Sequence, residues 1–305
     1  MDAGAQYRQL AADLGVRVAE RAPLAPYTWI KIGGPAEFVF FPDAPEKAAR
    51  LAAELARLPL PVKFLGAGSN LLVADEGIKA AVVATADLRG DVEELPGEMV
   101  VAPAGAPVPG LARWARRRGL AGLEFAEGIP ALLGGALKMN AGAHGSSFGA
   151  VARELLVADA AGVVARRAVA EGDFGYRASV VGRERLLALG ATLALRRDDP
   201  PAIEARALEY RRRRQATQPV RERSAGCVFA NYPGLPAGKL IDDLGLKGTA
   251  VGDAEVSRLH GNFIVNRGAA RAADVLALID LLTARMTAAV GEPPRLEVEV
   301  WRDEP

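Results

Sequence analysis

The stretch that decides the fold is Phe64-Leu65-Gly66-Ala67-Gly68-Ser69-Asn70-Leu71-Leu72, in which two glycines and two small polar residues separate apolar runs. The preceding run, 62–65, predicts a buried strand. Glycine adopts positive φ and lets the backbone approach a ligand closely. Successive N–H groups in such a turn form a concave anion site, to which Ser69 and Asn70 add a hydroxyl and an amide. We interpret the stretch as a pyrophosphate cradle, and a plain glycine turn between two strands is the alternative.

This stretch differs from the two commonest phosphate-binding motifs. A Rossmann fingerprint needs a third glycine three residues after the second and then a helix, but position 71 is Leu71 and the residues after it have the pattern of a strand or a tight loop. A Walker loop ends in Gly-Lys-Ser or Gly-Lys-Thr, which does not occur here. The stretch is therefore neither a Rossmann fingerprint nor a Walker loop.

Composition excludes several function classes. The chain has 305 residues, of which 50% are hydrophobic and 25% charged, enough for two or three domains with a large core. A net charge of +1 indicates neither a nucleic acid nor an anionic membrane as partner. The single cysteine, Cys227, excludes an internal disulfide and suits a reducing compartment, so we expect a cytoplasmic protein without membrane insertion. Two scattered histidines and one cysteine argue against a zinc site.

The periodicity mixes helices and strands without a regular βαβ alternation, which predicts an α+β protein. Asp43 and Glu46 have capping-box spacing before one amphipathic helix, and Ala160-Ala161-Gly162 separates the two strands of a hairpin. We place a domain boundary near residues 200–220. The last run, Leu296–Val300, alternates as a strand and sets Glu297 and Glu299 on one face.

A second glycine-rich stretch, 127–145, is dominated by small residues. Such a composition suits backbone running against a flat or extended ligand, and a close-packed loop with a short helix is the alternative.

Three side chains are candidates for chemistry. Cys227 follows Ser-Ala-Gly in what we interpret as a tight turn, and a thiol with a reference pKa of about 8.5 can donate a proton at neutral pH. Arg177 carries a permanent charge that can bind a carboxylate or stabilise an oxyanion. Glu299 lies on the last strand. The alternatives are a small buried hydrophobic residue for the thiol, a surface arginine, and a solvated strand face.

Other polar side chains could recognise phosphate or sugar, or could simply satisfy turns: Lys239, Asn231 and Asn262. His260 is of a type that packs or caps more often than it catalyses.

Taken together, these stretches resemble one family, UDP-N-acetylenolpyruvoylglucosamine reductase, from about Tyr27 to Val300 and in its shorter type. The matching segments, in order, are Thr28–Ala36, Leu65–Leu72, Gly128-Ile129-Pro130, Gly134-Gly135-Ala136, Met139–Ala143, Tyr176–Ser179, Ser224-Ala225-Gly226, Phe229 with Asn231, and Glu299-Val300.

The resemblance implies an FAD-binding fold of the vanillyl-alcohol-oxidase (PCMH) type. It would be built from two subdomains, 1–87 and 88–200, followed by a C-terminal α+β substrate domain, 201–305. The implied FAD-binding residues are Gly66, Ala67, Gly68, Ser69, Asn70, Leu71, Gly128, Ile129, Pro130, Gly135, Asn140, Ala141 and Gly142. The implied substrate-binding residues are Tyr176, Asn231, Lys239 and His260.

Members of this family are enzymes of peptidoglycan synthesis. They reduce their flavin with NADPH and pass a hydride from flavin N5 to the enolpyruvyl methylene carbon of a sugar nucleotide. By position in the motifs, Arg177 and Glu299 stabilise the resulting carbanion. The proton donor to the neighbouring carbon is commonly serine, and here that position holds Cys227, whose thiol is more acidic than an alcohol. Two further departures are Ala131 after Gly-Ile-Pro, and His144 where an aromatic residue such as tyrosine is usual.

Two other functions remain open from the residues themselves. One is a sugar or hydroxy-acid oxidase on the same flavin fold. The other is a flavin-free nucleotide-binding module whose glycines are only turns.

Overall fold

The computed structural model describes residues 4–303. They form two compact units. The first comprises Met1–Glu20, Phe38–Ala67 and Ala80–Arg212, and the second Arg21–Glu37, Gly68–Lys79 and Arg213–Pro305, in each case without the terminal residues outside the described range.

The helices of the described chain are α1 (Ala5–Leu14), α2 (Pro45–Leu55), α3 (Val108–Arg117), α4 (Leu133–Lys138), α5 (Phe148–Val151), α6 (Val180–Arg183), α7 (Pro200–Thr217), α8 (Ala237–Asp243) and α9 (Ala272–Val290). Short 3₁₀ turns occupy Ala25–Tyr27 and Glu124–Ala126. The strands are β1 (Arg17–Pro23), β2 (Pro35–Phe41), β3 (Val62–Leu65), β4 (Leu71–Val73), β5 (Ile78–Ala84), β6 (Glu93–Leu95), β7 (Met99–Pro103), β8 (Leu120–Ala121), β9 (Gly142–Ala143), β10 (Ser146–Ser147), β11 (Ala152–Ala158), β12 (Val164–Ala168), β13 (Phe174–Gly175), β14 (Ala178–Ser179), β15 (Leu187–Ala194), β16 (Arg196–Arg197), β17 (Arg223–Cys227), β18 (Ala250–Val251), β19 (Ala254–Val256), β20 (Phe263–Asn266) and β21 (Glu299–Trp301).

The first unit contains β3 and most of β1, β2 and β5, which form a sheet in the order β1-β2-β5-β3 with β3 and β5 parallel. Helices α1 and α2 cover it because their apolar faces meet the inward side chains of the strands. The Tyr7 and Phe38 rings stack there with centroids 4.6 Å apart, and Leu51 and Leu55 of α2 are fully buried. This core holds β3 in place, and the cradle follows β3 directly.

The rest of the first unit is built on an antiparallel sheet in the order β12-β11-β15-β7-β6. Its central strand β15 is apolar on both faces and almost wholly buried. Helices α3 and α4 contribute to the core on this sheet, where the Phe125 and Phe148 rings meet edge to face at 5.5 Å. A small cluster that includes Ala49 of α2 and Leu189 of β15 joins the two sheets of this unit.

The second unit contains the sheet β17-β20-β19-β18, with α8 and α9 contributing to the same core. Strand β4 pairs with β21 in parallel, with Glu299 opposite Leu71 and Trp301 opposite Val73. The core of the second unit includes Phe229, Ile264 and Leu278, each at most 1% exposed. The N-terminal Gly33-Gly34-Pro35 turn lies against residues 75–77, where a Cβ placed on Gly34 would be 2.2 Å from the Asp75 carbonyl oxygen.

The mixed helices and strands confirm the α+β class, and the hairpin around Gly162 forms as β11 and β12. The predicted capping box is wrong: α2 begins after Ala44 without a side-chain cap, and Asp43 forms an ion pair with Lys47 at 2.9 Å instead. Residues 174–179 form the hairpin β13–β14. The last strand is shorter than expected and begins at Glu299, because residues 296 and 297 pair with the chain after Cys227. The three-domain division stays a prediction.

No helix within residues 4–303 has both the length and the apolar character that a membrane crossing requires.

Candidate cofactor and active site

The cradle glycine Gly68 is held tightly by the chain in the second unit. Its φ is +62°, and a Cβ placed on it would lie 2.1 Å from the Tyr27 carbonyl oxygen. The Trp29 N–H donates to the Gly68 carbonyl at 3.1 Å. Only glycine combines this left-handed conformation with such close contact, so the loop shape is fixed before any ligand binds.

The N–H groups of Gly68, Ser69 and Asn70 donate to no acceptor within the described residues 4–303. Unpaired backbone donors on a tight loop are costly unless water or a ligand satisfies them. Three successive donors of this kind suit the oxygens of a phosphate or pyrophosphate.

In the first unit, two glycines from different predicted motifs approach each other. A Cβ placed on Gly66 would lie 3.9 Å from the Gly135 Cα, and one placed on Gly135 would meet nothing within 4 Å. The neighbouring Gly134 is different, since its Cβ would lie 3.1 Å from the Ala104 Cβ. Gly134 therefore serves packing, whereas Gly66 and Gly135 border open space that backbone can offer to a ligand.

The Gly128-Ile129-Pro130 segment presents backbone rather than side chains. Gly128 is exposed with φ +78°, and Ile129 is buried in the core with its N–H bonded to the Ala126 carbonyl at 3.1 Å. Within the first unit, the open space beside Gly66 and Gly135 suits a flat ligand group. Within the second unit, the backbone donors of the cradle suit phosphate oxygens. Each of these features fits FAD, the group that the resemblance implies.

Asn140 uses its amide to join two loops of the first unit. Its Oδ1 accepts the Gly149 N–H at 2.9 Å, and its Nδ2 donates to the Gly175 carbonyl at 2.8 Å. A Cβ placed on Gly149 would be 2.6 Å from the Phe174 Cβ, so the loop and the β13–β14 hairpin are in close contact. This shows a positioning role for the Asn140 side chain that its motif did not reveal.

Gly142 is explained by packing. A Cβ at this position would lie 2.4 Å from the Ser146 carbonyl oxygen in the β9–β10 pair. Its neighbour Ala141 is half-buried, and the Ala141 N–H bonds the Ala136 carbonyl at 2.8 Å, which closes α4.

Arg177 lies at the turn of the β13–β14 hairpin with φ +54°, a conformation uncommon for a residue other than glycine. Its guanidinium is 5.6 Å from the centroid of the Tyr176 ring, and Nη1 is 3.5 Å from the Gly142 carbonyl. Tyr176 is 56% exposed. Ser179 anchors the hairpin by donating to the Lys138 carbonyl at 2.8 Å. The hairpin therefore presents one cation and one exposed aromatic ring.

Cys227 ends β17, and the expected tight turn is instead a bulged strand. The pairing of β17 with β20 shifts register between Ser224 and Cys227, and Gly226 within the bulge has φ +78°. A Cβ placed on Gly226 would lie 3.6 Å from the Ser69 carbonyl oxygen. The bulge thus sets the half-buried Cys227 beside the cradle loop of the second unit.

Glu299 begins β21 and is tied to the same loop. Its N–H donates to the Asn70 carbonyl at 3.0 Å, while the Asn70 Nδ2 donates to the Glu297 carbonyl at 2.9 Å. The N–H groups of Glu297 and Val298 both reach the Val228 carbonyl, next to Cys227. Three distant segments of sequence therefore bring Ser69, Asn70, Cys227 and Glu299 together.

Sequence reasoning missed Trp301. Its indole Nε1 donates to the Glu299 Oε1 at 2.8 Å, and the ring is 2% exposed. The available signal was the spacing, because residues i and i+2 of a strand lie on the same face.

The predicted substrate residues of the second unit lie around α8. Asn231 Oδ1 accepts the N–H of Ala237 at 3.0 Å, which satisfies the first turn of α8. Lys239 is exposed and pairs with Asp243 at 2.6 Å, a surface ion pair that contributes little to stability. Asn262 bonds both backbone groups of Phe229 and is structural.

His260 is half-buried against the start of α8. A Cβ placed on Gly238 would lie 2.7 Å from its Cε1, so glycine is needed beside Lys239. The His260 Nδ1 accepts the Asn262 N–H at 3.2 Å, which places any proton of the neutral ring on Nε2. Burial, and then the positive charge of Lys247, lower the pKa of His260 below its ordinary value.

His144, the departure from the usual tyrosine, stacks on Tyr210 of α7 with centroids 4.1 Å apart and planes 3° from parallel. An imidazole thus still provides a flat ring at this position. Across residues 4–303, no group of three or more His, Cys, Asp or Glu side chains could hold a metal ion.

Comparison with protein families gives two matches. A model described as UDP-N-acetylenolpyruvoylglucosamine reductase, C-terminal domain, matches residues 218–301. A second, described as FAD binding domain, matches residues 36–167.

Relatives match over nearly the full length. UDP-N-acetylenolpyruvoylglucosamine reductase of Heliobacterium modesticaldum is 43% identical over 97% of this chain and 94% of its own. That of Moorella thermoacetica is 40% identical over 99% of both chains.

Among solved structures, the reductase from Thermus caldophilus superposes with a TM-score of 0.81 at 38% identity, covering 94% of this chain and all of that one. Berberine bridge enzyme in complex with (S)-reticuline shares the fold alone, with a TM-score of 0.51 at 14% identity over 66% of this chain and 45% of that one. These matches confirm the predicted FAD-binding fold. The chain belongs to the UDP-N-acetylenolpyruvoylglucosamine reductase family and is an oxidoreductase with an FAD-binding domain.

Proposed function

We propose that this protein reduces the enolpyruvyl group of UDP-N-acetylglucosamine enolpyruvate to UDP-N-acetylmuramate, with NADPH as the reductant. The observation that carries the proposal is the arrangement in the second unit, where the segments bearing Cys227 and Glu299 meet at the Ser69-Asn70 turn. This arrangement supplies a proton donor and a carboxyl group beside a loop built for a pyrophosphate.

Each unit contributes backbone features that fit FAD. The free N–H groups of Gly68, Ser69 and Asn70 suit its pyrophosphate, and the open space beside Gly66 and Gly135 suits the rest of an extended dinucleotide. When bound, FAD supplies two-electron redox chemistry between the nicotinamide and the substrate. The buried Leu71 and Ile129 contribute backbone only, since their side chains belong to the core.

Cys227 would supply the proton. Reduction adds a hydride to the methylene carbon of the enolpyruvyl group and a proton to the adjacent carbon, so the double bond becomes a single bond. The Cys227 Sγ–H gives that proton, and the thiolate that remains recovers a proton from solvent. A thiol suits the role because its reference pKa of about 8.5 keeps most of it protonated at neutral pH.

Arg177 and Glu299 would stabilise the charge that develops next to the substrate carboxylate. The guanidinium is permanently charged and binds carboxylate oxygens through two N–H donors. The hairpin anchor at Ser179 and the strand pairing of Glu299 hold both side chains on ordered backbone before substrate arrives.

The sugar nucleotide would be bound by Tyr176, Asn231, Lys239 and His260. The exposed Tyr176 ring can stack on a flat group, and Lys239 can exchange its surface partner Asp243 for a phosphate. His260 has its neutral Nε2–H available as a donor, which recognises an oxygen without adding charge. A cytoplasmic location, a place in peptidoglycan synthesis and the boundaries 1–87, 88–200 and 201–305 complete the proposal.

The test is an anaerobic titration of the purified yellow protein. NADPH bleaches the flavin absorbance, and the enolpyruvyl sugar nucleotide then restores it with stoichiometric formation of the lactyl ether. An oxidase would instead be reoxidised efficiently by oxygen and not by the enolpyruvyl compound. If the purified protein were colourless, the flavin-free nucleotide-binding module would be the only one of the three candidate functions left.

A further inference from the structure

We propose that Trp301 is a positioning residue that fixes the orientation of the Glu299 carboxyl group. The observation is the hydrogen bond from the indole Nε1 to the Glu299 Oε1 at 2.8 Å. The inference rests on the proposed function in one respect, the part it gives Glu299 in substrate reduction.

The backbone that carries the indole is held in place by strand pairing. Trp301 pairs with Val73 in the β21–β4 ladder, and its carbonyl accepts the Ala74 N–H at 2.9 Å. The partners around it are buried, since Val73 is 0% and Ala74 is 4% exposed. Two residues further on, the Asp303 carboxylate accepts the Lys79 N–H at 2.8 Å, so the strand is also held after the indole.

Glu299 is less constrained by burial. The residue is half-buried, and a glutamate side chain has three rotatable bonds beyond its Cα. Its backbone is fixed by Asn70, but a fixed backbone leaves the carboxyl group a choice of rotamers. The hydrogen bond from the Trp301 indole, a buried ring on the same strand face, restricts that choice.

The bond also decides which oxygen can carry a proton. Indole Nε1–H is a donor only, so the Oε1 it meets must act as an acceptor. When the carboxyl group is neutral, its carbonyl oxygen is the better acceptor, so the bond favours Oε1 as the carbonyl oxygen and the proton on Oε2. Glu299 then presents a defined donor on one oxygen, which is the form that stabilises negative charge developing on a substrate.

The first test needs no substrate. A Trp301→Phe variant keeps an aromatic ring in the core and removes the donor. Because a hydrogen bond to the ionised carboxylate favours that form, its loss raises the pH at which Glu299 titrates, by about 1 unit. The measurement is a carbon-13 carboxyl titration of the holoenzyme, with Glu299→Gln to assign the signal and Trp114→Phe, in the other unit, as the matched control. An unchanged Glu299 titration in Trp301→Phe would overturn the proposal even if the proposed reaction were wrong.

The second test uses the reaction. In Trp301→Phe, anaerobic flavin reduction by NADPH keeps its rate, while reoxidation by the enolpyruvyl sugar nucleotide slows about tenfold to a hundredfold, and the pH limb of that step moves upward. In a Glu299→Ala background the same substitution has no further effect on reoxidation. Equal losses in both backgrounds would assign Trp301 to packing alone and defeat the inference. A wild-type enzyme inert to the enolpyruvyl compound would instead defeat the proposed function. The carboxyl titration would then still test whether Trp301 orients Glu299.

Discussion

The carbonyl of Asn70 accepts the N–H of Glu299 at 3.0 Å, so the last residue of the cradle turn is bonded directly to the first residue of the C-terminal strand. The Asn70 side chain adds a second bond, from Nδ2 to the Glu297 carbonyl. The Ser69-Asn70 turn and the strand that carries the Glu299 carboxyl group are therefore held together. A displacement of the turn would therefore also displace the strand that begins at Glu299.

The Asn70 side chain provides a direct test of this coupling. Asn70→Ala removes the Nδ2 donor but keeps the backbone bond, and we expect it to lower the free energy of unfolding by about 1 kcal/mol. We also expect slower reoxidation of reduced enzyme by the enolpyruvyl sugar. Urea unfolding and stopped-flow absorbance measure the two effects. Asn231→Ala, which removes a comparable side-chain bond at α8, is the control for stability, and a reoxidation rate untouched in Asn70→Ala would show that the strand does not depend on the amide.

The two cradle glycines should respond differently to alanine. Gly68→Ala places a Cβ 2.1 Å from the Tyr27 carbonyl oxygen at φ +62°, and we expect a loss of about 3 kcal/mol or more. Gly66→Ala meets only the Gly135 Cα at 3.9 Å, so the apoprotein should fold normally. The added methyl group should nevertheless lower the amount of flavin bound per chain, because it narrows the space beside Gly135. Urea midpoints of the apoproteins and flavin content per chain measure these effects, and full flavin occupancy in Gly66→Ala would place the cofactor elsewhere.

Cys227 can be separated from flavin reduction. In Cys227→Ala, reduction by NADPH should keep its rate, while reduction of the enolpyruvyl sugar should fall about 10²- to 10⁴-fold, the usual contribution of a positioned proton donor. Cys227→Ser should retain much of the activity because a hydroxyl can take the same place. Stopped-flow spectroscopy of the two half-reactions makes the comparison. Wild-type turnover in Cys227→Ala would remove the thiol from the mechanism.

His260 should make the protein less stable toward acid. Burial and the charge of Lys247 hold its pKa in the folded state below the value in the unfolded chain. At a pH below the pKa of His260 in the unfolded chain, the unfolded chain binds the proton more readily than the folded protein does. The contribution of His260 to the free energy of unfolding is therefore complete above the ordinary histidine pKa, and it is lost as the pH falls toward the pKa of His260 in the folded state. His260→Gln should therefore show a smaller loss of urea midpoint between about pH 7.5 and pH 5.5 than wild type. His144→Gln is the matched control, and identical slopes for wild type and His260→Gln would contradict the burial argument.

Local periodicity carried much of the fold. The strand at 62–65 and the hairpin around Gly162 were predictable, because alternation at two residues and turn residues between two such runs reflect which face is buried. The capping box at Asp43 failed because the spacing alone does not decide which residue ends the loop before α2. The shortened last strand failed because residues 296 and 297 found partners near Cys227, which no local pattern encodes.

By itself, the sequence determined the α+β class, the glycine loops and the side chains suited to chemistry, since these follow from residue type and from neighbours along the chain. Only the tertiary structure decided which glycines border open space, where the Asn140 amide is used, and that Trp301 bonds Glu299. Asn70 and Glu297 are 227 positions apart, and their bond exists because a buried core brings β4 beside β21. Burial of apolar surface acts without regard to distance along the chain, so the partners it creates cannot be read from spacing.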